Sequence, residues 1–220
     1  MTYMPNSTHL NEQLPELFSD EVLMLRYCAG DLVAFRELYQ RHSAGLYRFI
    51  AWRSPRRDWV DEITQDSWVA LHKARATYQV SAQFRSFLYQ IARNRLLDLV
   101  RQHPVLLASE IAHHDRDGDQ FEHYAQQHGQ DTSEALQTPE HVLITQQTQE
   151  QLHKAIASLP SEQKEALVLQ QFNDMSLEEI ALISEVSVET IKSRLRYAMR
   201  KLRLHLHATP TQPSRQEVKL

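Results

Sequence analysis

The chain is poor in cysteine and glycine and has no long apolar run, and each scarcity excludes something. A single cysteine, Cys28, cannot close an internal disulfide and offers no pair of thiolates to a structural metal. It stands beside Leu25 and Tyr27 in a helical pattern, which reads as a buried, inert thiol. Only four glycines occur in 220 residues. With few alternating β-branched runs and many Leu, Ala, Gln, Glu and Arg, that scarcity points to an all-α chain. No apolar run approaches the roughly 20 residues that span a bilayer. Residues 1–18 lack the basic flank and apolar centre of a secretory signal, so the reading is cytoplasmic. No serine sits in a nucleophile turn or beside a glycine-rich phosphate loop, and no catalytic constellation or cofactor motif emerges.

Net positive charge is lacking too. The formal charge is −4, which argues against a nucleic-acid binder until its distribution is considered. Between His103 and Glu140 the acids Glu110, Asp115, Asp117, Asp119, Glu122, Asp131, Glu134 and Glu140 face only Arg116, and the parts on either side are slightly basic. Local fields therefore matter more than the total. In the same stretch helical periodicity fails among Gly118, Gly129 and Pro139, which reads as a flexible acidic linker at 104–139. Its His113, His114, His123 and His128 lack sulfur ligands or a rigid frame and read as solvated rather than as a metal site.

The linker separates two helical modules, at 18–103 and 140–206. In the first, an apolar pattern runs from Leu23 to Ile50, with breaks near Gly30 and at Ser54-Pro55. Further helices fit Trp59–Tyr78 and Phe84–Arg101. In the second, Leu143–Ser158 fits one helix, and Pro160 suits the first turn of another that buries Ala166, Leu167, Leu169 and Phe172. Asn173 and Asp174 supply a turn.

The most informative segment follows. Ser176 and Glu179 have capping-box spacing, so a helix starts at Leu177 and buries Leu177, Ile180, Ala181 and Ile183. Ser184 and Glu185 interrupt it. Ser187 caps a second helix with an apolar stripe of Val188, Ile191, Leu195, Ala198 and Leu202. Its other face carries Lys192, Ser193, Arg196 and Arg200, as a recognition helix in a major groove requires. In the first module, Phe84–Arg101 likewise sets Leu88, Ile91, Ala92, Leu96 and Leu99 against Gln90, Arg93, Asn94, Asp98 and Arg101. By spacing alone that polar face is either a solvated surface or a nucleic-acid contact.

Three motifs resemble the extracytoplasmic-function group of bacterial sigma factors, over about residues 31–204 apart from the linker. Phe84-Arg85-Ser86-Phe87-Leu88-Tyr89-Gln90-Ile91-Ala92-Arg93-Asn94-Arg95 is similar to the family's promoter-melting and minus-ten segment, with Phe87 where tryptophan is commoner. Asp61-Glu62-Ile63-Thr64-Gln65-Asp66-Ser67-Trp68 resembles its polymerase-docking helix. Leu159-Pro160, Met175-Ser176-Leu177-Glu178-Glu179-Ile180-Ala181 and Val188-Glu189-Thr190-Ile191-Lys192-Ser193-Arg194-Leu195 resemble the fourth sigma region. The resemblance implies that Asp61, Glu62, Gln65 and Asp66 dock on core RNA polymerase. It implies that Arg93, Asn94 and Arg101, with the loop Thr77–Gln83, contact and capture melted minus-ten DNA. Lys192, Ser193, Arg196, Tyr197 and Arg200 then meet the minus-thirty-five element. Tyr197 and Met199 depart from the arginines often found there. The resemblance also implies promoter DNA and an anti-sigma factor as partners, with no cofactor, metal or stable homo-oligomer. The competing readings are a dimeric helix-turn-helix repressor, which would bind duplex DNA without polymerase, and a helical adaptor indifferent to changes at Lys192 and Arg196.

Overall fold

A computed structural model of the chain describes residues 18–79, 83–103, 148 and 151–208. The linker, the first 17 residues and the tail from 209 lie outside them. So do the four linker histidines, residues 80–82 of the minus-ten loop, and residues 143–147, 149 and 150 of the helix expected at Leu143–Ser158. All regular structure among the described residues is helical. The front module contains α1 (Asp20–Cys28), α2 (Leu32–Arg53), α3 (Asp58–Ala74), extended by a 3-10 turn at Arg75–Thr77, and α4 (Phe84–Gln102). The rear module contains α5 at 151–157, α6 (Ser161–Asn173), α7 (Leu177–Ser184) and α8 (Val188–Ala208).

Local chemistry sets the boundaries. Ser19 accepts from Val22 N at the start of α1. Asp31 accepts from Val33 N and Ala34 N at 2.9 and 3.2 Å and starts α2. Between them Gly30 turns the chain at φ +98, where a side chain would be strained. α2 stops before Ser54-Pro55, as the proline dictates. Pro160 stands one position earlier than expected, at the N-cap of α6, with ψ 143. Its extended backbone precedes the helix rather than opening it. α6 ends at Asp174, which takes the left-handed conformation at φ 49.

The front core is built from Leu38, Leu46, Phe49 and Ile50 of α2, Ile63 and Leu71 of α3, and Phe84, Leu88, Ala92 and Leu96 of α4. In the rear module Ala166, Leu169, Ile180, Ile183, Ile191 and Ala198 are buried. Leu177, Val188 and Phe172 are only partly covered, because they lie at the edges of their stripes. Cys28 corrects the sequence reading. The residue is exposed, and its thiol donates to the Arg75 carbonyl at 3.0 Å. Desolvation pushes its pKa above the ordinary thiol value, so it is protonated at neutral pH. Buried residues of both modules belong to one hydrophobic cluster, because α2 packs on α6 and α4 packs on α7. Linear spacing gave no sign of that docking.

Candidate nucleic-acid interface

α7 and α8 form the helix-turn-helix, with both reciprocal bonds of the capping box present. Glu179 N donates to the Ser176 hydroxyl at 3.2 Å, and Ser176 N donates to the Glu179 carboxylate at 2.8 Å. Glu185 takes φ 57 at the turn, and Val186 N closes it on the Ala181 carbonyl. Ser187 then accepts from Thr190 N at 3.2 Å and caps α8. With Ile191, Leu195, Ala198 and Leu202 buried, Lys192, Arg196, Tyr197 and Arg200 are exposed and Ser193 is half-buried. Lys192 donates to Glu189 at 2.7 Å, and that hydrogen bond raises its pKa. The guanidiniums of Arg196 and Arg200 lie 5.4 and 5.2 Å from the Tyr197 ring centroid. The ring holds two cations about one helical turn apart by attraction to its face, a role that the spacing of charges did not reveal.

α4 divides its polar side chains between two destinations. Asn94 and Arg95 are exposed, and no hydrogen bond from the Asn94 amide is found among the described residues. Arg101 is exposed beside Asp98 at 3.8 Å, a loose surface pair of little worth. Phe87 packs on Tyr78 at 5.4 Å between centroids, which anchors the start of the loop toward Gln83. Burial pushes the Tyr78 hydroxyl up to about 12. Arg93 is half-buried and turns toward the rear module. Its Nε lies 3.2 Å from the Glu165 carboxylate of α6, and its guanidinium donates to the Ser184 carbonyl at 3.5 Å.

On α3 the residues Asp61, Glu62, Gln65 and Asp66 are all exposed. The opposite face buries Trp59, Ile63, Trp68 and Leu71. Val69, one turn beyond Gln65, extends the exposed stripe with an apolar group that the sequence reading missed.

A fourth cluster, also missed, joins the modules. Glu165 is 2% exposed and contacts Arg53 of α2 at 2.9 Å and Arg93 of α4 at 3.2 Å, while the Ser184 hydroxyl donates to it at 2.7 Å. Burial lowers the pKa of Arg53, and the carboxylate opposes that shift. Nearby, the Tyr89 hydroxyl donates to the Asn173 side-chain oxygen at 2.7 Å, and the Asn173 amide donates to the Val168 carbonyl at 3.2 Å. Gly45 makes room for this pair, since a Cβ there would come within 2.7 Å of both oxygens. Arg48 donates to Phe172 O at 2.9 Å, Arg85 to Asn173 O, and Gln90 to Leu182 O at 2.9 Å. Front-module donors thus cap the carboxyl ends of α6 and α7, where helices leave carbonyls unpaired and negative.

The front module matches the Sigma-70 region 2 model over residues 38–104, and the rear module matches the Sigma-70 region 4 model over 149–202. The chain is 26% identical over 182 residues to the ECF RNA polymerase sigma-E factor of Salmonella typhimurium, covering 83% of this chain and 91% of that one. It is 26% identical over 180 residues to the RNA polymerase sigma-H factor of Pseudomonas aeruginosa, covering 80% and 88%. Among solved structures it resembles CnrH in complex with the cytosolic domain of CnrY, at TM-score 0.60 and 21% identity over 87% of this chain and 99% of that one. It also resembles the sigma factor RpoE in complex with the anti-sigma factor NepR from Bartonella quintana, at TM-score 0.56 and 21% identity over 80% and 98%. The two helical modules and their helix-turn-helix are those of a transcription initiation factor. The chain belongs to the extracytoplasmic-function group of the sigma-70 family, whose members direct RNA polymerase to promoters.

Proposed function

We propose that the chain divides promoter-specific initiation among three surfaces. The acids and amide of α3, Asp61, Glu62, Gln65 and Asp66, dock on a basic face of core polymerase. Asn94 and Arg101 of α4, joined by Arg93, take up the melted minus-ten strand, with Asn94 satisfying the edge of an extruded base. Lys192, Ser193, Arg196, Tyr197 and Arg200 of α8 read the minus-thirty-five element in the major groove. The protein performs no chemistry of its own and acts in the cytoplasm at 18–103 and 140–206, with 104–139 as the connection. The observation that carries this reading is the exposed Asn94 amide on one module together with the exposed Arg196–Tyr197–Arg200 cluster on the other. A dimeric repressor has a use for the second surface and none for the first. Two solved relatives are bound to the cytosolic domain of CnrY and to the anti-sigma factor NepR, which supports a protein partner of the same class for this chain.

The test is transcription reconstituted with core polymerase on promoter fragments selected from genomic DNA by the parent protein. Polymerase should start at defined sites only when the chain is added, and permanganate should detect unpaired thymines just upstream of them. Tight duplex binding by the chain alone, without polymerase-dependent starts, would instead establish the repressor reading.

A further inference from the structure

A second set of joints lies inside the front module, apart from the seam where Glu165 meets Arg53 and Arg93. There α1 reaches both described ends of the Thr77–Gln83 loop, which joins α3 to α4. At the far end Gln83 stands at the N-cap of α4 and makes no side-chain cap. Glu21 of α1 takes over that task, its carboxylate accepting from Phe84 N at 3.2 Å. The same turn of α1 is held by Asp20, which accepts from Arg41 at 3.0 Å and pairs with His42 at 2.7 Å, and the His42 ring lies against Phe84.

At the near end the 3-10 turn Arg75–Thr77 is tied to α1 twice. The Cys28 thiol donates to the Arg75 carbonyl. The Tyr27 hydroxyl meets Nδ1 of His72, whose Nε2 lies 3.0 Å from the Arg75 guanidinium. A guanidinium only donates, so Nε2 carries the lone pair and Nδ1 carries the proton that goes to the Tyr27 oxygen. His72 therefore makes this link only as a neutral imidazole. The groups that face it are Tyr27 and Cys28 of α1, both pushed up by desolvation and so protonated, and Arg75 itself, while α2 brings only the Phe35 ring, stacked on Tyr27. The carboxylates around α1 are engaged elsewhere: Asp20 with Arg41 and His42, Asp31 with Arg26, and Glu21 with Phe84 N.

We propose that α1 positions the minus-ten loop: Glu21 fixes where the loop enters α4, Tyr27 fixes through His72 and Arg75 where it leaves α3, and promoter melting requires His72 to be neutral. The proposal rests on reading α4 and this loop as the surface for the melted strand. Glu21, Tyr27 and His72 are positioning residues that act through Phe84 and Arg75. A contact that captures an extruded base depends on placement to about 0.5 Å, which a loop free at either end does not provide. Phe87 on Tyr78 joins the two ends across the loop, so a shift at one end is felt at the other. Protonation of Nε2 would aim a donor and a positive charge at Arg75 and break the near anchor. The link is thus made at neutral pH and lost in mild acid, where histidines take up a proton. His72 is exposed and Arg75 half-buried, so water weakens the repulsion and the effect is moderate.

The experiment uses the full chain with core polymerase on a duplex promoter fragment selected by the parent protein. Melting is read by permanganate between about pH 5.5 and 8, with core binding measured at each pH by co-purification. Melting per bound polymerase should fall about fivefold toward the acid end in the parent. His72→Gln offers Arg75 a neutral acceptor and Tyr27 a donor, so it should match the parent at the alkaline end and lose the acid fall. Arg75→Gln should lose it too, because a neutral amide can face either form of the imidazole. Glu21→Ala should lower melting about fivefold at every pH, the worth of one hydrogen bond, and Glu21→Gln, which keeps an acceptor for Phe84 N, should restore it. Core binding and helicity by circular dichroism should stay at the parent level throughout. A parent that melts equally at every pH, or an acid fall that persists in both glutamine variants at His72 and Arg75, overturns the role of His72. Equal melting by the two Glu21 variants overturns the role of α1. Losses of melting matched by losses of core binding reduce α1 to a structural support and overturn the proposal as well. If His72→Gln loses helicity, Arg75→Gln decides alone. Each of these failures in a parent that initiates leaves the sigma reading intact, whereas failure of the parent to initiate overturns both.

Discussion

α4 and α8 are alike in pattern and opposite in fate. Each sets an apolar stripe against a polar, cation-rich face. On α8 that face meets solvent, and its arginines are ordered by an aromatic ring within the same helix. On α4 the face is divided: Asn94, Arg95 and Arg101 point out, whereas Arg85, Gln90 and Arg93 reach acceptors on the rear module. Helical spacing identifies a polar face. Whether water, DNA or the ends of other helices receive it depends on what docks there.

Asp66 lies on a third surface, exposed on α3 and outside the seam. The double substitution Asp66→Lys and Gln65→Ala should abolish co-purification with core polymerase while circular dichroism retains the parent helicity. A reversed charge against a basic partner costs several kcal/mol, the largest effect in this set, and it should leave the module docking unchanged. Co-purification at the parent level would remove α3 from the interface.

Within α8 the stripe and the face should separate cleanly. Ile191 is fully buried, so Ile191→Ala should cost about 2–5 kcal/mol in urea unfolding. Arg196→Ala should stay within about 0.5 kcal/mol of the parent. Equal losses would mean that Arg196 supports the fold and that the contrast with α4 is false. In transcription the order reverses: Arg196→Ala should lose about 1–3 kcal/mol of discrimination, confined to the upstream promoter element. A changed preference downstream instead would exchange the assignments of the two modules.

The smallest expected effect sharpens the comparison most. Asn94→Ala should keep core binding and lose about 0.5–1.5 kcal/mol, the worth of one neutral hydrogen bond, as weaker permanganate reactivity on a duplex promoter. A promoter mismatched across the minus-ten element should recover part of the loss, because its bases are already unpaired. Full melting by the variant would make Asn94 a plain surface residue and move base capture to the loop from Thr77 to Gln83.

Much of the fold was legible in the chain. The Ser176–Glu179 capping box, the Gly30 and Ser54-Pro55 breaks and the stripe from Ile191 to Leu202 are local signals acting within a few residues, and each stands where spacing put it. Legibility ended where contacts became distant. Cys28 sits in an apolar-looking stretch, yet its own position on α1 faces outward. Pro160 fell one residue from its expected place because N-cap and first turn share the same proline φ and differ in ψ. Tyr197 looked like a departure from a run of arginines, and only side-chain packing revealed what it does for Arg196 and Arg200.

By itself, then, the sequence determined most of the described helices and the apolar stripes of α4 and α8, because these follow from backbone propensity, capping and periodicity inside short windows. Tertiary structure alone decided that Glu165, an ordinary-looking glutamate on α6, lies buried between Arg53 and Arg93. It also decided that Gly45 is a notch rather than a weak point in its helix. The physical reason is one of range. Hydrogen bonds along a helix join residues three or four apart, whereas the charge and shape complementarity of two docked modules joins residues with no relation in sequence, and it exists only once both have folded.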